Sequence, residues 1–150
     1  MNAIIRSAII GAGLSALTGV AANAQPVKLP ISEGVWVKTD TQCKAAYIAY
    51  IYARGRFGSV YFYGPNQGQG PANETEVLSH IAKGKNGFTV INDGPIEIAA
   101  RPKGQAVVRA VSLSEGVQWT ETVRLCPAAT LSSRMRAGLT HELLMPAVAH

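Results

Sequence analysis

The segment from Ala45 to Tyr63 constrains the fold of this chain more than any other. It contains two runs of aromatic and β-branched residues, and a short link with the sequence Ala-Arg-Gly-Arg separates them. Paired strands joined by a Gly-containing turn have this pattern. All five tyrosines of the protein lie in these runs, namely Tyr47, Tyr50, Tyr52, Tyr61 and Tyr63. The segment therefore predicts an aromatic β-hairpin.

The turn decides which side chains share a face of this hairpin. If Arg54 and Gly55 form a two-residue turn, Tyr52 lies opposite Phe57, and alternate residues point to the same side. One face then carries Ile48, Tyr50, Tyr52, Phe57 and Tyr61, and the other carries Tyr47, Ala49, Ile51, Val60 and Phe62. Neither face is polar, so we expect both to meet protein or ligand. Arg-Gly is not a favoured turn pair, and a slip of one residue would exchange the faces, so the sequence leaves the register open.

The N-terminal residues have the pattern of an export signal. Arg6 is followed by an uncharged and largely apolar stretch, and Ala22-Asn23-Ala24 fits the small-x-small cleavage pattern. We expect residues 1–24 to be a secretory signal peptide that is cut after Ala24, and the protein to be periplasmic or secreted. An uncleaved membrane anchor is the alternative, but the apolar run is short for a span. We therefore expect no stable membrane span after cleavage.

Two cysteines, Cys43 and Cys126, are the only ones in the chain. In an oxidising compartment a disulfide is favoured over two free thiols, and neither residue belongs to a Cys-x-x-Cys pair. The bond would close a loop of about 84 residues, which the chain-entropy model equates to roughly 4–5 kcal/mol. It would tie the start of the hairpin to the end of the last strand. We expect residues 25–128 to form one disulfide-closed β domain.

The pattern of turns after the hairpin predicts the fold class. Short strand-like runs alternate with links that contain Gly or Pro, and no long helical pattern lies between them. The candidate strands are 35–37, the two hairpin arms, 76–82, 88–91, 96–99, 106–113 and 117–125. This spacing favours an all-β fold, a single small antiparallel meander that forms a barrel or sandwich of about seven to eight strands. Glu121 interrupts the apolar side of the last strand, so we expect it near a rim or paired with an Arg.

The C-terminal part, residues 129–150, predicts a short helix and tail. Leu131, Met135, Leu139 and Leu143 repeat every four residues, which gives one apolar stripe along a helix. We expect the helix to dock over the sheet or an open end, or alternatively to bind a partner.

The segment Gly64–Asn73 is rich in Gly and Pro, which predicts a surface loop beside the tyrosines. Such a loop is a contact surface or a plain connector. Together with the hairpin it supplies our candidate ligand-binding residues. These are Tyr50, Tyr52, Phe57, Tyr61, Tyr63 and Asn66.

The chemistry of the chain favours binding over catalysis. No local motif of a catalytic, metal or cofactor site is recognisable, so we expect no catalytic residue, metal or cofactor. The basic residues behind the formal net charge of +5 are dispersed, which disfavours nucleic acid as a partner. We interpret the chain as an exported non-enzymatic binding module for a protein, a glycan or a small apolar ligand. The alternatives are a hydrolase or isomerase that uses His80 with Glu74 or Glu76, and a structural cell-envelope protein that associates through its terminal helix.

Overall fold

The computed structural model describes residues 27–141, so the predicted signal peptide and the end of the tail lie outside the described residues. Nine strands form one antiparallel sheet with the order β4-β3-β2-β1-β9-β8-β7-β6-β5. The strands are β1 (Gly34–Lys38), β2 (Ile48–Ala53), β3 (Arg56–Tyr63), β4 (Gln69–Val77), β5 (Ile81–Lys83), β6 (Thr89–Ile91), β7 (Ile96–Arg101), β8 (Gln105–Ser112) and β9 (Gly116–Cys126). The sheet curls into a half-barrel, and one short helix, α1 (Ser133–His141), follows it. The predicted fold class is confirmed.

The hairpin has the register that a two-residue turn requires. Tyr52 pairs with Phe57 and Ile48 pairs with Tyr61. Arg54 and Gly55 both have positive φ, 53° and 68°, which is the combination found in type I′ turns. This turn matches the right-handed twist of the strands, and it places the two predicted sets of side chains on opposite faces of the sheet.

The predicted loop at 64–73 is wrong beyond Gly68, because Gln69 begins strand β4, which pairs along β3. Pro71 is tolerated there because β4 is an edge of the sheet, where a missing N–H need not break a ladder. The predicted strand at 76–82 is also wrong, since it is divided between β4 and β5. Asn92 holds the dividing link, because its Oδ1 accepts hydrogen bonds from the backbone N–H groups of Ser79 and His80.

Helix α1 covers the outer face of the sheet. Leu131, Met135 and Leu139 are buried, and they belong to one apolar cluster with the outward-facing residues of β1, β2 and β3. These sheet residues are Val35, Val37, Ala49, Ile51, Ala53, Val60 and Phe62. The helix therefore docks on the sheet, as its four-residue repeat predicts. Since residues 142–150 lie outside the described part, the position of Leu143 is not assigned.

The disulfide between Cys43 and Cys126 is present, with the two Cα atoms 5.9 Å apart. It joins the turn before β2 to the end of β9. Because β1 and β9 are neighbours in the middle of the sheet, the bond reinforces the centre of the sheet and does not join its edges. The edges are β4 and β5, and the half-barrel is open between them.

The concave face carries a second core, which fills one end of the half-barrel. Trp36, Tyr52, Ile98 and Val123 are buried there together with Leu29 of the N-terminal lead-in. The backbone N–H of Leu29 donates to the Tyr52 hydroxyl at 3.2 Å, so the lead-in is fixed over this end. Side chains occupy this part of the interior, and only the other end is accessible. Within the described residues, the single α-helix is too short to cross a membrane.

Candidate functional site

The accessible end of the concave face forms a groove of about 260 Å³. Strands β3 and β4 form one wall, and β9 with the turn between β6 and β7 forms the other. The lining combines aromatic side chains, apolar side chains and two carboxylates. The residues used below are Tyr50, Phe57, Glu74, Glu76, Ile91, Ile96 and Trp119. A concave site that is mostly apolar and has a few convergent polar groups is the usual form of a small-ligand site.

Two rings of the hairpin form a flat aromatic surface in the groove. Tyr50 on β2 and Phe57 on β3 point to the concave side, and their rings are parallel within 7°, with centroids 6.3 Å apart. Trp119 on β9 contributes a third ring and is 39% exposed. Trp119 pairs with Ala110 in the same register as Glu121 and Val123, so its side chain points to the concave side. The groove is therefore lined by aromatic side chains from three strands, and Phe57 is only 5% exposed.

A buried polar network holds Tyr50 in place. Its hydroxyl donates to Glu121 Oε2 at 2.7 Å, and Glu121 Oε1 lies 2.6 Å from Lys38 Nζ. Burial, and next the hydrogen bond to Glu121, raise the pKa of Tyr50 well above its ordinary value. The hydrogen bond to Glu121 also raises the pKa of Lys38. Tyr50 is therefore a neutral donor at physiological pH, and its proton points to Glu121 and away from any ligand. The prediction of an Arg partner for Glu121 is wrong, because its carboxylate contacts Lys38 and Tyr50.

Two carboxylates lie at the rim of the groove, on alternate residues of β4. Glu74 is opposite Ser59 and Glu76 is opposite Phe57, so both lie on the concave side. Glu74 accepts a hydrogen bond from the Tyr61 hydroxyl at 2.7 Å, and this bond raises the pKa of Tyr61. Among the described residues, the Glu76 carboxylate makes no hydrogen bond or ion pair. The rim thus offers acceptor oxygens to a ligand.

The structure brings together only part of the predicted ligand-binding set. Tyr50 and Phe57 line the groove, and Tyr61 reaches its rim through Glu74. Tyr52 is only 4% exposed and belongs to the core beneath the lead-in. Tyr63 is exposed next to Tyr61, with ring centroids 6.1 Å apart.

Asn66 lies in the exposed turn before β4 and is not among the groove residues. Trp119, Ile91 and Ile96 complete the groove, although none of them was a sequence candidate. The alternation of β9 placed Trp119 on the apolar side of that strand. That alternation does not predict that this end of the strand lies next to the tyrosine hairpin.

The alternative catalytic set is not assembled in one place. His80 lies in the link between β4 and β5 and not in a strand. Its Nε2 is 3.4 Å from Asp93 Oδ1, and the two side chains are 57% and 75% exposed. His80 does not line the groove that contains Glu74 and Glu76. In residues 27–141, no group of three or more His, Cys, Asp or Glu side chains is placed to hold a metal ion.

The fold and the groove define an open antiparallel half-barrel with an aromatic, acid-rimmed site on its concave face. Comparison of the chain with models of protein families, with characterised proteins and with solved structures finds no match. The function is therefore argued from the chemistry of the groove.

Proposed function

We propose that this chain is an exported non-enzymatic binding module that holds one sugar unit of a glycan in its concave groove. The combination of stacked aromatic rings and rim carboxylates in one small depression carries the proposal. A sugar ring has an apolar C–H face, which suits the rings of Tyr50 and Trp119 with Phe57 buried beside them. It also carries hydroxyl donors, which suit ionised carboxylates because these only accept hydrogen bonds.

The dimensions of the groove support a ligand of ring size. Drug-sized ligands occupy sites of about 300–1,000 Å³. At about 260 Å³ the groove lies just below this range. It suits one ring of a longer chain, and the opening between the sheet edges lets the rest of the chain leave the groove.

The rim favours a polar ligand over an apolar one. A wholly apolar molecule would displace water from the carboxylates of Glu74 and Glu76 and would offer them no hydrogen-bond donor. The loss of these hydrogen bonds is costly for ionised groups. A uronic acid would bring a like charge to the same carboxylates. We therefore expect neutral or amino sugars to bind more tightly than acidic ones.

The other functions have less support in the geometry. An enzyme acting through His80 would need that side chain near Glu74 or Glu76, whereas the carboxylate beside its Nε2 is that of Asp93. Association through the terminal helix would need a free apolar stripe, but Met135 and Leu139 are buried against the sheet. Export is supported by the intramolecular disulfide, because such bonds persist in oxidising compartments.

A binding panel with matched variants tests the proposal. The protein is titrated by calorimetry with neutral, amino and acidic oligosaccharides, and Trp119→Ala and Glu76→Gln are compared with the wild type. We expect each variant to weaken binding about tenfold or more, since loss of one good contact is worth about 1.4 kcal/mol. Tyr47→Ala and Glu33→Gln are the controls, because both residues are exposed and lie outside the groove. Affinity that is unchanged in both groove variants would overturn the proposal.

A further inference from the structure

The hairpin of β8 and β9 extends beyond the rest of the sheet. Strand β7 pairs with β8 no further than Ala110, while the pairing of β8 with β9 continues to Ser112 and Gly116. On the other side, β1 pairs with β9 only at residues 123–126. Residues 111–117 therefore form a two-stranded arm, which a backbone hydrogen bond from Val111 to Pro95 fixes at its base.

Two apolar side chains of this arm are exposed, one at its tip and one on its outer face. Leu113 at the tip is fully exposed, at 109% of its reference area, and Val117 is 53% exposed. Val117 lies opposite Val111, and Trp119 lies opposite Ala110. Because consecutive cross-strand pairs face opposite sides of a sheet, Val117 lies on the outer face and Trp119 on the concave face. Single exposed apolar residues are ordinary, but two on one projecting arm, with Trp119 at its base, indicate an interaction site.

Basic side chains lie next to the arm on its outer face. Lys83 and Lys85 are exposed, and together with Val111 and Val117 they line a shallow depression. Neither lysine makes an ion pair with a described residue. This surface therefore combines exposed apolar groups with positive charges that the described residues do not neutralise.

We propose that the arm inserts its tip shallowly into an anionic lipid surface, with Leu113 and Val117 among the lipids and with Lys83 and Lys85 at the headgroups. A fluid interface can accommodate apolar side chains that point in different directions from one arm, whereas a folded protein partner would cover one face. The two ammonium groups complement anionic headgroups, and Trp suits the interfacial layer. Glu115 in the turn opposes deep insertion because burying a carboxylate is costly. This proposal does not depend on glycan binding in the groove.

Vesicle flotation of the full exported chain tests this inference. Vesicles of phosphatidylcholine alone are compared with vesicles in which part of it is replaced by phosphatidylglycerol. We expect binding to the anionic vesicles, about fivefold weaker for each of Lys83→Gln and Lys85→Gln. For Leu113→Ser with Val117→Ser we expect a loss of about tenfold or more. Trp fluorescence gives a second readout, since Trp36 is buried and a blue shift on vesicles therefore reports Trp119.

The matched controls lie at the other end of the same sheet. Leu125→Ser changes an exposed apolar residue of β9 far along the strand from the tip, and Lys103→Gln changes an exposed lysine in the turn between β7 and β8. Both controls are expected to float with anionic vesicles as the wild type does. Absence of binding to anionic vesicles would overturn the inference. Equal losses in the control and arm variants would overturn it as well.

Discussion

Replacing Tyr50 by Phe isolates the hydrogen bond that fixes the aromatic wall of the groove. The substitution keeps the ring that stacks on Phe57 and removes only the hydroxyl that donates to Glu121 at 2.7 Å. The hydroxyl is removed from a part-buried position, and its acceptor is an ionised carboxylate. Any change in the free energy of unfolding that this substitution causes can therefore be assigned to the hydrogen bond between Tyr50 and Glu121.

The expected loss follows from the strength of the interaction. A hydrogen bond to a charged group contributes about 1.5–3 kcal/mol to stability. Glu121 keeps its ion pair with Lys38, but that pair is partly exposed and contributes only about 0.2–1 kcal/mol. We expect Tyr50→Phe to lower the free energy of unfolding by about 1.5–3 kcal/mol at neutral pH.

The same substitution should change the dependence of stability on pH. Burial raises the pKa of Tyr50 in the folded state, so the unfolded chain releases this proton at a lower pH. The contribution of Tyr50 is fully present below about pH 10, and it is lost as the pH rises above that value. Without the phenol, the variant should show a flatter decline above pH 10 than the wild type. The pKa of Lys38 is also raised, so part of the decline should remain.

Urea denaturation followed by circular dichroism at a series of pH values measures both effects. Tyr47→Phe is the control because Tyr47 is exposed, and it should leave stability unchanged. A double-mutant cycle with Glu121→Gln should show that the two losses are not additive. A loss below about 0.5 kcal/mol for Tyr50→Phe, or equal alkaline slopes in variant and wild type, would refute the reasoning.

Three further substitutions test the scaffold. Met135→Ala should lower the free energy of unfolding by about 2–5 kcal/mol, because the side chain is fully buried between α1 and the sheet, and urea denaturation measures the loss. Replacing Cys43 and Cys126 together by Ser should cost roughly 4–5 kcal/mol by the chain-entropy model. Calorimetry checks this, and a thermal midpoint equal to that of the wild type would contradict it. Lys103→Asn should raise stability by up to about 1 kcal/mol, because Lys103 has a φ of 58° before Gly104 and Asn tolerates that conformation better. A lower urea midpoint would refute this last expectation.

Local patterns in the sequence account for the scaffold. The aromatic runs around Arg54 and Gly55 predict a hairpin, and a two-residue turn gives the observed register. The repeat of Leu131, Met135 and Leu139 predicts a helix with one buried stripe, and the sheet supplies the surface that buries it. The hairpin and the helix depend on neighbours in the chain, so the sequence is sufficient to predict them, whereas it left the register of the hairpin open.

The features that depend on contacts between distant segments could not be predicted in this way. Gln69–Val77 contains Gly and Pro and has a weak strand propensity, yet it pairs with β3 because the aromatic strand offers it a free edge. The groove joins the tyrosine hairpin to Trp119 and to the turn before Ile96, and only the curl of the sheet brings these parts together. The face on which Val117 lies depends on the register shift near Val111, and the alternation of the sequence does not predict that shift.

The most direct test of the central claim is an NMR titration of the isotope-labelled protein with the tightest-binding oligosaccharide of the panel. The account predicts that amide shifts concentrate at Gly58, Glu76 and Ile96 and at the indole N–H of Trp119, all of which line the groove. The amides of α1 on the opposite face should not move. Shifts centred on α1, or no shifts with any sugar of the panel, would contradict the account.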